Sequence, residues 1–297
     1  MNLFKKRETL AQNIAFMAIM AAINVMFVLL TTFIPFLLFL LVFILPLSCT
    51  LVVLLCDKKY FIIYALATVG LCLIVTIYNI SDTLFYIVPS MITGFVFAVC
   101  IERKIPYSIS IIATSFVQFG LSYALLPLAK LITQVDILET FAKLFNVQDF
   151  QYLMELELVM VFFVSFLQQI ISYIFIKLGL RKLNFNIEKN PNEIWFDLIG
   201  LLFNLLLTLL FVFVWSPISF VFLLSSIYFG AFIILYLILS QRTINYLILV
   251  LFSVGFIFLF AGVYQYIEQP FGILFIEVYL YGVGIIGLIN NCLVKRQ

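Results

Sequence analysis

The chain contains no histidine, and only 10% of its 297 residues are charged. Histidine is the commonest general base and a frequent metal ligand, so its absence argues against hydrolytic or metal-dependent chemistry inside a membrane. The five cysteines, Cys49, Cys56, Cys72, Cys100 and Cys292, fall in or at the ends of apolar runs with no CxxC pairing. They read as small hydrophobes, not as disulfide partners or metal ligands. The sequence has no GxxxxGK[ST] phosphate loop, no HExxH or GxSxG motif, and no paired aspartates in or beside an apolar run, so it offers no nucleotide hydrolysis by that route and no familiar hydrolase centre. A net charge of +2 carries no basic surface for nucleic acid. The chain is therefore expected not to be an enzyme and to need no cofactor of its own.

What the chain has instead is apolar length. Hydrophobic residues make up 66% of it and the mean hydropathy is +1.26, more than any soluble core absorbs. About ten runs are long enough to cross a hydrocarbon layer as helices. They lie at approximately 10–32, 33–56, 60–80, 84–100, 107–128, 156–178, 194–214, 218–240, 243–263 and 271–293. Short alternating segments of the β-barrel kind are absent. The expected fold is all-α, a polytopic membrane protein. Lys5, Lys6 and Arg7 precede a first run that is long for a signal-peptide core and is followed at once by further spans, so it reads as a retained first helix.

Basic residues set the orientation, because cytoplasmic loops are enriched in Lys and Arg. An N-in, C-in topology puts fourteen of the sixteen inside, leaving only Lys130 and Lys143 outside. The same topology makes the outer side acidic, with Asp82, Asp136, Glu139, Asp149, Glu155, Glu157, Glu268 and Glu277 at or near it. The outer loop 129–155 is the long one, and DILETFAKLFNVQDFQYLMELE within it reads as an amphipathic helix with a solvated acidic face. RKLNFNIEKNPNE, 181–193, is the extended polar stretch on the inner side. The domain reading is thus a six-span bundle over 1–182, a cytoplasmic linker over 183–193 and a four-span module over 194–297.

Polar residues inside the spans fall on single helical faces. The third span carries Thr68, Cys72, Thr76 and Asn79; the fourth Tyr86, Ser90, Thr93 and Phe97 with Gly94 alongside. The fifth carries Ser115, Gln118 and Ser122, then Tyr123; the sixth Ser165, Gln168 or Gln169, and Ser172. One reading makes these stripes interhelical hydrogen-bond glue, worth about 0.6 kcal/mol per pair. The other makes their outer-half members a pocket for a small polar or aromatic ligand, lined by Asn79, Tyr86, Gln118, Tyr123, Glu157 and Gln168. Amides and hydroxyls suit a neutral ligand with several hydrogen-bonding edges. Glu277, in FGILFIEVYLYGVG, is either a proton or cation site or, as the reading taken here, an acid near the outer interface that reaches up to water.

AFMAIMAAINV opens the first span with small residues where leucine would serve lipid equally well. Ala11, Ala15, Ala18 and Ala22 follow one line, a surface that lets another helix approach closely. Asn24 lies roughly 200° around the helix from Ala22, toward the bundle. The alanine-rich AQNIAFMAIMAAINV after a basic N-terminus, the hairpin through Pro35 into LPLSCTLVVLLC, then FIIYALATVG and LFYIVPSMITGFVFAVCIERK, resemble the S components of energy-coupling-factor vitamin transporters over about residues 10–180. The ten-span form also resembles the YybS-like family of uncharacterised bacterial membrane proteins.

The S-component resemblance implies an outward-facing pocket for a vitamin or other micronutrient, with Ala11, Ala15, Ala18 and Ala22 as the surface that docks a transmembrane coupling protein driven by two ATPase subunits. The four extra C-terminal spans depart from that family. The function expected from it is a substrate-binding subunit for uptake of a small organic nutrient in a bacterial plasma membrane. The alternatives are a membrane scaffold or regulator, or a stand-alone secondary transporter using Glu277.

Overall fold

In a computed structural model the protein is all-helical, with no strand among the described residues. These are 6–34, 37–77, 86–133, 150–183, 185, 193–214, 216–239, 250–256 and 271–294. Among them, six helices are long and apolar enough to cross a membrane, and three shorter apolar helices accompany them. The protein is a polytopic membrane protein. Its chain divides into two compact units, Met1–Lys189 and Asn190–Gln297.

The first unit contains α1 (Leu10–Phe33), α2 (Leu37–Leu55), α3 (Phe61–Val75), α4 (Val88–Glu102), α5 (Tyr107–Thr133) and α6 (Phe150–Lys182). Local chemistry fixes where these helices start. Thr9 caps α1, its hydroxyl accepting from the Gln12 N–H, while the Gln12 side chain accepts in return from the Glu8 N–H. That is a variant of the reciprocal capping box, and it satisfies two amides that the helix itself leaves open. Asn13 then ties the start of α1 to the end of α2: its Oδ1 accepts from the Asp57 N–H at 3.0 Å and its Nδ2 donates to the Thr9 carbonyl at 2.9 Å. The Arg7 N–H donates to the Leu55 carbonyl, and the Arg7 guanidinium lies 4.9 Å from the centre of the Phe16 ring.

The crossing of α2 and α4 is a backbone contact. A Cβ added at Gly94 would stand 2.7 Å from both the Pro46 carbonyl oxygen and the Cys49 Cβ. Pro46 lies inside α2 and brings no N–H to the ladder. One turn on, the Thr50 hydroxyl reaches the Pro46 carbonyl at 2.7 Å and the Gly94 carbonyl at 3.0 Å, bridging the two helices where they touch.

Helix α4 ends in a Schellman turn: the Ile105 N–H donates to the Cys100 carbonyl and the Lys104 N–H to the Ile101 carbonyl. The left-handed position, φ 55°, is held by Lys104, where glycine is usual. Pro106 follows, and the Ser110 amide and hydroxyl both donate to its carbonyl, opening α5.

The second unit contains α7 (Glu193–Val212), α8 (Ser216–Leu239), the helical segment 250–256 and α9 (Phe271–Val294). The buried side of α7 runs Ile194, Asp197, Leu198, Leu201, Asn204, Leu205, Thr208, Val212, a three-and-four spacing that makes one face. Glycines let the helices close up. A Cβ at Gly200 would meet the Phe229 ring, one at Gly282 the Phe252 ring, and one at Gly284 the Leu201 side chain.

Two outcomes test this packing. Gly94→Ala should lower stability by about 1–3 kcal/mol, because the contacting atoms belong to backbone and a Cβ that cannot swing away. Gly70→Ala, where nothing lies within 4 Å, should be neutral or stabilising in the same thermal-unfolding measurement on detergent-purified protein. Lys104→Gly should raise stability by about 1 kcal/mol by relieving the left-handed backbone.

Candidate functional site

Several hydroxyls of the polar stripes are satisfied within their own helices. Thr68 donates to the Tyr64 carbonyl, Thr76 to Cys72, Thr93 to Ser90, Thr114 to Ser110 and Ser115 to Ile111, all at 2.7–3.2 Å. The hydroxyls that looked like interhelical glue are therefore turned back onto the preceding turn, which removes the cost of carrying them into lipid without linking helices. In the first unit, the Thr50 contact with Gly94 and the group around Tyr64 do link helices.

Asn24 turns inward, as its offset from the alanine line requires, and is fully buried. Its Nδ2 donates to the Tyr64 hydroxyl at 2.8 Å, the Cys49 sulfur lies 3.9 Å from that hydroxyl, and the Ser48 hydroxyl is also hydrogen-bonded to it. One phenol thus joins α1, α2 and α3. Ala11, Ala15, Ala18 and Ala22 are exposed along the opposite side of α1. Cys49, Cys56, Cys72 and Cys100 are buried and free, and among the described residues no group of three His, Cys, Asp or Glu could hold a metal ion.

Once the self-satisfied hydroxyls are set aside, a smaller set remains. The Ser90 hydroxyl of α4, the Gln118 Oε1 of α5, and both amide atoms of Gln169 and the Ser172 hydroxyl of α6 are buried without a hydrogen-bond partner. Gln118 uses only its amide nitrogen, donating to Ser122 at 3.3 Å on the same helix. Gln169 and Ser172 sit between two aromatic contacts that fix the buried face of α6. On one side Phe162 meets the Phe116 and Phe119 rings of α5; on the other Tyr173 meets Phe97 of α4 and Tyr107 of α5. Gln169 therefore lies on the side of α6 that carries these ring contacts, while Ser172 stands seven residues before Gly179, where a Cβ would meet Leu47 of α2.

The ligand-pocket residues expected from sequence divide accordingly. Gln118 and Glu157 are buried. Tyr86 and Tyr123 are each 37% exposed, and the Tyr123 ring packs beside Phe119. Gln168 is half-buried, and its neighbour Gln169 is the glutamine turned fully inward. The stripe left the two open because Ser165, Gln169 and Ser172 keep the four-and-three spacing as well as Gln168 does by eye; the aromatic neighbours decide it. Asn79 lies outside the described residues, as does most of the amphipathic outer-loop segment.

In the second unit Glu277 does not reach water, contrary to the reading taken from sequence: it is 2% exposed. The cause is its register. Thr208 lies beside Glu277, Leu201 meets Gly284 and Leu198 meets Gly287, so α7 and α9 run antiparallel with the acid set against α7.

Residues 22–148 match a family described as "Predicted membrane protein (DUF2232)". That stretch is less than half the chain and runs from the middle of α1 beyond the end of α5. No curated protein and no solved structure matches.

The Tyr64 junction makes a quantitative prediction. Tyr64→Phe should cost about 1–2 kcal/mol, because it strands the Asn24 amide in the bundle. Adding Asn24→Leu should recover part of that loss in a double-mutant cycle followed by thermal unfolding.

Proposed function

We propose that the first unit is a solute-binding bundle, the substrate-capture part of an uptake system for a small, uncharged organic nutrient of vitamin-like polarity. The observation that carries this reading is Gln169, an amide with two donors and an acceptor, fully buried in a membrane helix with neither end paired. Leaving such a group unmet costs a few kcal/mol, and Ser90, Gln118 and Ser172 add to the cost. A ligand carrying both donors and acceptors offsets it. An anionic solute suits the group less, since among the described residues α4, α5 and α6 bring buried serines, amides and one acid, Glu157, and no buried lysine or arginine.

The rest of the reading follows the resemblance to S components. Orientation is N-in and C-in in a bacterial plasma membrane, with Ala11, Ala15, Ala18 and Ala22 docking a transmembrane coupling protein energised by two ATPase subunits. The exposure of all four alanines supports that role. The chain itself carries out no catalysis.

Native mass spectrometry of the detergent-purified protein, followed by titration with a vitamin panel, tests the capture role. A bound small molecule, or saturable binding to one panel member, is the expected result; no ligand by either method would favour the scaffold or regulator. Gln169→Leu should weaken ligand binding by about tenfold or more. The same substitution should raise the stability of the ligand-free protein by about 1–3 kcal/mol, because it removes a buried group that has no partner.

A further inference from the structure

The second unit holds a carboxyl group in an unusual setting. Glu277 lies in the second turn of α9, 2% exposed, with its Oε1 buried and unpartnered. It lies beside the Thr208 hydroxyl of α7. That hydroxyl lies 2.9 Å from the Asn204 carbonyl and donates its one hydrogen there. Toward Glu277 it therefore presents a lone pair. A lone pair repels a carboxylate oxygen and accepts from a carboxylic acid.

Among the described residues of this unit a negative charge has no cation to meet. No Lys, Arg or His occurs in α7, α8, the segment 250–256 or α9. The acids of α7 are Glu193 and Asp197, and Asp197 is eleven residues from Thr208, about 16 Å along the helix axis. The segment 250–256 has no titratable residue. On α8, Tyr228 is buried against the Phe229 and Phe232 rings, and Tyr236 stands two turns further on. On α9 itself, the Tyr279 hydroxyl is hydrogen-bonded to Ser253, and Tyr281 lies one turn from Glu277, close enough to sense its charge. Among the described residues a metal cation finds too few ligands here: one carboxyl and one hydroxyl stand against the six or more oxygens that a hard cation gathers. The Asn204 amide donates to the Gly200 carbonyl, and Ser225 and Ser226 donate to their own helix.

We propose that Glu277 is a proton-binding site within the membrane, and that loading and release of its proton switch the α7–α9 contact at Thr208. With the proton on, the acid donates to Thr208 while Thr208 donates to Asn204. With the proton transferred to water, the Thr208 hydroxyl must turn to the carboxylate and abandon the Asn204 carbonyl, or α9 must carry the carboxylate to an aqueous edge. Either change couples protonation to packing of the unit. The inference is independent of the ligand reading given to the first unit.

Infrared difference spectroscopy on the full-length protein in lipid vesicles, scanned from about pH 5 to about pH 9, reads the carboxyl directly. The expected result is a protonated-carboxyl C=O band that loses at least about tenfold of its intensity across that range. It should vanish in Glu277→Gln, move in frequency in Thr208→Val, and stay unchanged in Gln169→Leu. Where Glu277→Gln does not fold, Glu277→Asp serves instead and should displace the band. A Glu277 band of constant intensity, which marks a fixed structural acid, overturns the proposal. So does the absence of any Glu277-dependent band, which marks a permanent carboxylate.

Discussion

A hydroxyl or amide carried into hydrocarbon has to be satisfied from within the protein, because lipid tails neither donate nor accept hydrogen bonds. The described helices meet this constraint in the cheapest way available. A serine or threonine whose hydroxyl bonds the carbonyl three or four residues back needs no second helix and no fixed crossing geometry. Thr68, Thr76, Thr114, Ser115, Thr208, Ser225 and Ser226 all do so. Their polarity is thus compatible with tight apolar packing, and the bundle is free to be held by shape.

Shape is what the glycines supply. At Gly94 the α4 backbone lies against the Pro46 carbonyl of α2, close enough for one hydroxyl, Thr50, to reach carbonyls on both helices. In water the hydrophobic effect would hold two such helices together even with a looser fit. In lipid the surrounding tails are as apolar as the side chains, so van der Waals contact at a close crossing carries much of the association. A methyl group at Gly94 would push the backbones apart, weakening dispersion contacts and the Thr50 bridge together. The Tyr64 junction is the polar counterpart: side chains of α1 and α2 converge on a hydroxyl of α3.

Much of this was legible in the sequence and some was not, for reasons that differ by residue. Apolar run length locates the helices, since hydrocarbon thickness sets a minimum span, and α1, α7, α8 and α9 lie within a few residues of the runs that mark them. The inward turn of Asn24 follows from helical angle alone. Angle does not separate Gln168 from Gln169, which differ by about 100° on a face whose width is comparable, and only the positions of Phe162 and Tyr173 against their neighbours do so. The left-handed turn at Lys104 carries no glycine to announce it. The burial of Glu277 depends on its register against Thr208, which links residues 69 positions apart and leaves no local pattern. Nor does a stripe of polar letters say which hydroxyls have closed on their own helix.

That last distinction separates two kinds of polar residue that look alike in sequence. Self-satisfied hydroxyls are chemically spent and can be carried in lipid at little cost. The Gln169 amide and the Glu277 carboxyl retain unpaired capacity in a medium that penalises it, and in the two proposals above each is completed by something mobile. What completes them differs because the groups differ. An amide cannot change its charge near neutral pH, and only a molecule with matching donors and acceptors relieves it. A carboxyl can be relieved by the smallest ligand of all, and a threonine whose hydrogen is already committed elsewhere favours the acid that has taken up that proton. The contrast rests on one atom in each place: the Oε1 of Gln169, which a donor on a ligand would meet, and the hydroxyl oxygen of Thr208, which a proton on Glu277 would meet.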